Sequence, residues 1–112
     1  MNEKEILDRM EVVYQYMLDN AGEPYYYDDL KKMVLTINQD LIDEKIVGLT
    51  RFQKIHLLNW ICNLVNACEF ALVIYEDPKM HDERRVMLDE MIDDLLEQSR
   101  KNFNLLKNAR EK

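Results

Sequence analysis

Residues 56–68, with the sequence HLLNWICNLVNAC, determine how the rest of this chain must fold. They contain no Asp, Glu, Lys or Arg, although 33% of the 112 residues are charged. Thr50 and Gln53 have the spacing of a capping box, which predicts that a helix begins just before this stretch. No glycine or proline interrupts it before Glu76. Because so little of this helix is charged, we expect other helices to cover it on most sides.

Three asparagines and a histidine form one narrow polar strip on this third helix. At 100° per residue the strip is only about 80° wide, and a phenylalanine lies near each of its ends. Its lack of charge and its flanking aromatic residues are typical of an interface core. Solvent, a second copy, a foreign partner and a buried hydrogen-bonded network are the alternatives for what it faces. The predicted interface strip consists of Phe52, His56, Asn59, Asn63, Asn66 and Phe70.

The remaining sequence predicts three more helices. The first carries an apolar stripe that includes Ile6 and Met10, and it ends before the segment NAGEP at 20–24. The second begins at Tyr27 or Asp28 and stops at Gly48, with a break near Asn38 left open.

The fourth helix is predicted to begin at the pair Asp77–Pro78, with Asp77 as N-cap and Pro78 in the first helical position. Only two glycines and two prolines occur in the chain, which favours a few long helices over many turns. We therefore predict an all-α fold with a single domain over residues 1–112. It is an antiparallel four-helix bundle in which helix three, at about 51–76, is central.

The net charge of −7 argues against direct binding to nucleic acid or to an anionic membrane, because both require a cationic surface. The N-terminus is acidic where a secretory signal is basic. Residues 57–75 are apolar, but three asparagines and Glu69 argue against insertion into a membrane. Cys62 and Cys68 lie on different faces of the helix and are expected to be reduced core residues. These features predict a cytoplasmic protein.

Three consecutive tyrosines, Tyr25, Tyr26 and Tyr27, form a second candidate contact. They point in different directions on any backbone, so at least one is expected to face solvent. Tyrosine anchors interfaces well because it buries a large area with few rotatable bonds. The alternative is that the three rings close the end of the bundle.

Helix four contains an acidic pair, Glu90 and Asp93, whose carboxylates share one helical face and can hold Mg²⁺ together with water. This pair resembles part of the site of all-α nucleotide pyrophosphatases of the MazG type, which combine an E-x-x-E motif with E-x-x-D on the next helix. The upstream E-x-x-E motif is absent from this sequence. The pair is therefore an alternative metal site, and no other cofactor is expected.

Taken together, these features predict a small acidic helical protein that acts by protein–protein interaction, as an adaptor, inhibitor or regulatory subunit. We expect it to form a homodimer and to bind a protein partner whose identity the sequence does not give. One alternative is a metal-dependent hydrolase that uses the helix-four carboxylates. The other is an acidic decoy that occupies a basic nucleic-acid-binding groove.

Overall fold

Four helices make up the fold in the computed structural model, which describes residues 1–20 and 26–109. They are α1 (Glu3–Asp19), α2 (Tyr26–Ile42), α3 (Arg51–Glu76) and α4 (Asp82–Ala109). No strand occurs in these described residues. Helix α3 contacts both α2 and α4, so the predicted all-α bundle with a central third helix is confirmed.

The predicted start of α3 is confirmed by a complete capping box. The Thr50 hydroxyl accepts a hydrogen bond from the Gln53 backbone N–H at 3.1 Å, and the Gln53 side chain accepts one from the Thr50 backbone N–H at 2.9 Å. Gln53 is buried, and its side-chain amide also donates to the Leu106 carbonyl at 3.3 Å. The residue that caps α3 therefore also joins it to the end of α4, which shows that the two helices are antiparallel.

Helix α1 also begins with a capping box, formed by Asn2 and Glu5. It ends at Asp19, and the backbone N–H of Asn20 donates to the Tyr16 carbonyl at 3.1 Å. The predicted end of this helix before residue 20 is thus confirmed. The predicted roles of Gly22 and Pro24 in ending it lie outside the described residues.

The predicted end of α2 is wrong. The helix begins at Tyr26 and runs without a break past Asn38, but it stops at Ile42 instead of continuing to Gly48. It stops early because Glu44 takes a left-handed backbone conformation, with φ of 58°. Gly48 also has a positive φ, but it lies in the connection to α3.

The predicted start of α4 is also wrong. Asp77 and Pro78 belong to a tight turn in which the Met80 backbone N–H donates to the Asp77 carbonyl at 3.1 Å, and α4 begins at Asp82. Met80 is buried against α3 and α4. A helix that began at Pro78 would not provide this turn, which returns the chain along α3.

Two apolar clusters form the core, and α3 contributes to both. The larger cluster surrounds Trp60, and the smaller one fills the space between the second half of α3 and the first half of α4. By length and composition α3 is also apolar enough to cross a membrane, and 44% of that apolar window is buried in the bundle. Polar links between helices include the ion pair Arg9–Asp40 at 2.5 Å and the ion pair Lys31–Glu69.

Candidate functional site

The predicted polar strip on α3 is divided by the packing of α4. His56 is only 9% exposed, and its Nδ1 lies 2.9 Å from the Asn102 side-chain oxygen on α4. Asn63 is half-buried, whereas Asn59 and Asn66 are exposed. One edge of the strip therefore belongs to the α3–α4 contact, and only the other edge can meet a partner.

The hydrogen bonds around His56 assign its tautomer. The Asn102 amide nitrogen donates to the Gln98 carbonyl at 3.1 Å, which leaves its oxygen to accept from the His56 Nδ1–H. In the neutral ring, the His56 Nε2 is then an acceptor. It is buried and has no hydrogen-bond partner among the described residues. The Phe52 ring lies edge-on to the imidazole at 4.4 Å, and 55% of Phe52 is exposed.

The side-chain nitrogen of Asn63 is likewise buried without a partner in the part of the chain that the structure describes. Unpaired polar atoms of this kind cost stability and are uncommon in folded proteins. Phe70, at the other end of the strip, is half-buried and packs on the smaller core cluster. The strip is thus a boundary between the α3–α4 contact and solvent.

Beside the exposed asparagines, α3 presents an apolar face to solvent. Ile55 is 46% exposed, Leu58 is 45% exposed, and Cys62 and Val73 are also exposed. This exposed side spans about 120° of the helix circumference, so the other helices cover most of α3 but leave these apolar residues open to solvent, which the sequence did not predict. We define the open face of α3 as the exposed residues Phe52, Ile55, Leu58, Asn59, Cys62, Asn66, Glu69 and Val73.

Charges on this side of α3 lie only near its two ends. Arg51 and Lys54 precede the uncharged stretch, and Glu69 and Glu76 follow it. Glu69 forms an ion pair with Lys31 of α2, so this carboxylate is partly neutralised. The open face thus has an uncharged centre, with basic residues beside its N-terminal end and acidic residues at and beyond its C-terminal end. An exposed apolar patch with a polar rim is typical of an interaction site.

The two cysteines are free and lie in different environments. Cys68 is buried and Cys62 is exposed, so the prediction of different faces holds, and the prediction that both belong to the core is wrong for Cys62. Burial raises the pKa of the Cys68 thiol from 9.0 to about 12. Cys62 is therefore the more accessible thiol, and it lies in the middle of the open face.

Two residues of the tyrosine run, Tyr26 and Tyr27, pack at one end of the bundle. Tyr25 lies outside the described residues, and Tyr26 and Tyr27 are half-buried with their rings stacked at 4.1 Å. Tyr26 also meets Tyr16 edge-on, and Tyr27 lies 6.1 Å from Tyr75. Burial, followed by the neighbouring Tyr27, raises the pKa of Tyr26. These rings close the end of the bundle and remain partly accessible.

The acidic pair of helix four, Glu90 and Asp93, lies on an exposed surface. The described residues contain no group of three or more His, Cys, Asp or Glu side chains arranged to hold a metal. The geometry therefore adds no further ligand to this pair.

A groove of about 550 Å³ separates α1 from α4, with Tyr14 and Phe103 among its lining residues. Tyr14 accepts a hydrogen bond from the buried Trp60 indole at 3.2 Å, so the groove reaches the larger core cluster. Its charged lining includes both signs, with Glu11 and Glu97 beside Arg100. No particular ligand class is indicated by this lining.

Comparison of the chain with protein-family models, with curated proteins and with solved structures found no match.

Proposed function

We propose that this protein acts by binding another protein through the open face of α3, as an adaptor, an inhibitor or a regulatory subunit. The observation that carries the proposal is the exposure of Ile55 and Leu58, each nearly half accessible, within a stretch of α3 that has no charge. Burying the exposed parts of such side chains would contribute roughly 1 kcal/mol each to binding. This burial would stabilise a complex with a protein partner that covers this face.

The residues beside this apolar patch also suit a protein interface. Asn59 and Asn66 are exposed along one side of it and can exchange hydrogen bonds with a partner backbone. Phe52 adds an exposed aromatic ring at one end. An apolar centre with a polar rim is the usual anatomy of a protein–protein interface.

Two further properties bear on the setting of this function. The net charge of −7 favours a neutral or basic partner over nucleic acid. The free thiols of Cys62 and Cys68 suit a reducing compartment such as the cytoplasm. We place the protein there as part of the same proposal.

Photo-crosslinking in the native host tests this function. A photoreactive phenylalanine analogue replaces Leu58 in one variant and Met87 of α4 in a matched control, because both positions are exposed and apolar. We expect protein adducts from position 58 that position 87 does not give. Mass spectrometry then identifies the adduct as a second copy or as a foreign protein. No adduct from position 58, or identical adducts from both positions, would contradict the proposal.

A further inference from the structure

We infer that the open face of α3 binds the same face of a second copy of this chain, with the two α3 helices antiparallel. This inference rests on the proposed function and names the partner. A twofold axis perpendicular to the helices would relate the two copies, so that each contact occurs twice.

The spacing of the residues on this side of α3 is that of a helix-pairing seam. Successive members are separated by three and four residues in alternation, which keeps them on one side of a helix that pairs with another. All but Glu69 are uncharged; Val65 and Leu72 are half-buried, and the others are exposed. The seam consists of Ile55, Leu58, Cys62, Val65, Glu69 and Leu72.

The charges at the two ends of the seam favour antiparallel pairing with an identical chain. Antiparallel pairing places Ile55 opposite Leu72 of the other copy, and the same register places Arg51 opposite Glu76. Each end then brings a basic side chain to an acidic one. Parallel pairing would bring each charge to its own equivalent, which is unfavourable. The order of charges along this face is therefore complementary to itself.

The surface beside the seam is also apolar, on the side where α2 lies. The Lys31–Glu69 ion pair shows that the stripe of α2 that begins at Lys31 borders the open face. Leu35 and Ile42 lie four and eleven residues further along this stripe, and they are 40% and 63% exposed. Since the contact extends from α3 onto α2, it is wider than a single helix seam.

The uncharged centre of the seam explains how two acidic molecules can associate. Each copy carries a net charge of −7, which opposes association at long range. Between Lys54 and Glu69, however, α3 itself contains no charge, and Glu69, which this register places opposite Leu58 of the other copy, is paired with Lys31 within its own chain. Direct repulsion across the centre of the contact is therefore absent.

Analytical ultracentrifugation of the full chain in reducing buffer, over a wide concentration range, tests the second copy. We expect a concentration-dependent dimer that Leu58→Glu abolishes and that Met87→Glu leaves unchanged. Both positions are exposed, so circular dichroism should show folded helices in both variants. A monomer at every concentration would overturn the inference. If photo-crosslinking from position 58 still captured a foreign protein, the proposed function would stand without it.

The orientation of the copies is tested by exchanging charges at the ends of the seam. Arg51→Glu should weaken the dimer by about tenfold, because two ion pairs are replaced by two repulsive contacts. The double variant Arg51→Glu/Glu76→Arg should restore the affinity. A negative residue suits the N-terminus of α3, so Arg51→Glu should leave the fold intact. Failure of the double variant to restore the dimer would exclude the antiparallel order.

Cys62 gives an independent measure of the same contact. Its exposed thiol lies within the seam, so its rate of reaction with a thiol reagent should fall as protein concentration rises. The Leu58→Glu variant should react at the fast rate at all concentrations. Concentration-independent reactivity in the wild-type dimer would show that another surface forms it and would overturn the inference.

Discussion

Glu44 shows how one backbone conformation sets the length of a helix. The Lys45 N–H donates to the Asp40 carbonyl at 2.9 Å, and the Glu44 N–H donates to the Leu41 carbonyl at 3.2 Å. This is the Schellman arrangement, whose left-handed position is usually glycine. The sequence pointed to Gly48 because a glycine is the expected signal. A glutamate at that position gives no such signal in the sequence.

Replacing Glu44 with glycine should therefore stabilise the protein. A side chain at positive φ is strained, and relief of this strain should exceed the entropy cost of an added glycine. We therefore expect Glu44→Gly to raise the free energy of unfolding by about 1 kcal/mol. Urea unfolding followed by circular dichroism measures the change. The control Glu44→Ala removes the same charge but keeps Cβ, and it should give no such gain. Equal effects of the two variants would contradict this account of the helix end.

At the scale of the element, α3 shows what periodicity determines and what it leaves open. The repeat correctly placed His56 and the asparagines on one side of the helix. It did not show that α4 would pack on one edge of that side and leave Leu58 exposed. Two small residues did carry a signal, since Ala67 and Ala71 are four apart and both are buried where α4 packs. Small side chains at helical spacing let a neighbouring helix approach closely.

Enlarging one of these alanines should disrupt the α3–α4 contact. Ala67 is fully buried in the cluster that contains Ile92 of α4, so Ala67→Leu would force the helices apart and lower the free energy of unfolding by roughly 1–3 kcal/mol. Thermal unfolding measures the loss. The control Lys101→Leu adds an apolar residue to the exposed side of α4 and should change stability by no more than about 0.5 kcal/mol. An unchanged melting temperature for Ala67→Leu would show that the contact is loosely packed.

At the scale of the whole molecule, the helical class and the central place of α3 follow from patterns that extend over many residues. The start of α4 was missed because Asp77–Pro78 fits both a helix start and a turn. Which of the two forms depends on the burial of Met80 in the smaller core cluster. The open face was missed for a related reason. Four helices leave one side of α3 uncovered, and only the assembled bundle shows which side that is.

The assembled core also predicts how the stability of the molecule depends on pH. Burial raises the pKa of Cys68 to about 12, and burial likewise raises the pKa of Tyr14 and of Tyr26 above the ordinary value of 10.0. In the unfolded chain these groups lose their protons at ordinary pKa values, whereas the native protein keeps them. The raised pKa values therefore contribute fully to the free energy of unfolding below about pH 9, and this contribution is lost as the pH rises towards the native pKa values.

Urea midpoints measured between neutral pH and about pH 11 should therefore fall on the alkaline side. The Cys68→Ala variant removes one of the groups whose pKa is raised, so its midpoint should fall less steeply with pH, even though the variant starts from a lower stability. Cys62→Ala is the matched control for the loss of a thiol, because Cys62 is exposed and lies outside the core. Parallel slopes for Cys68→Ala and the wild type would show that Cys68 titrates alike in the folded and unfolded chains.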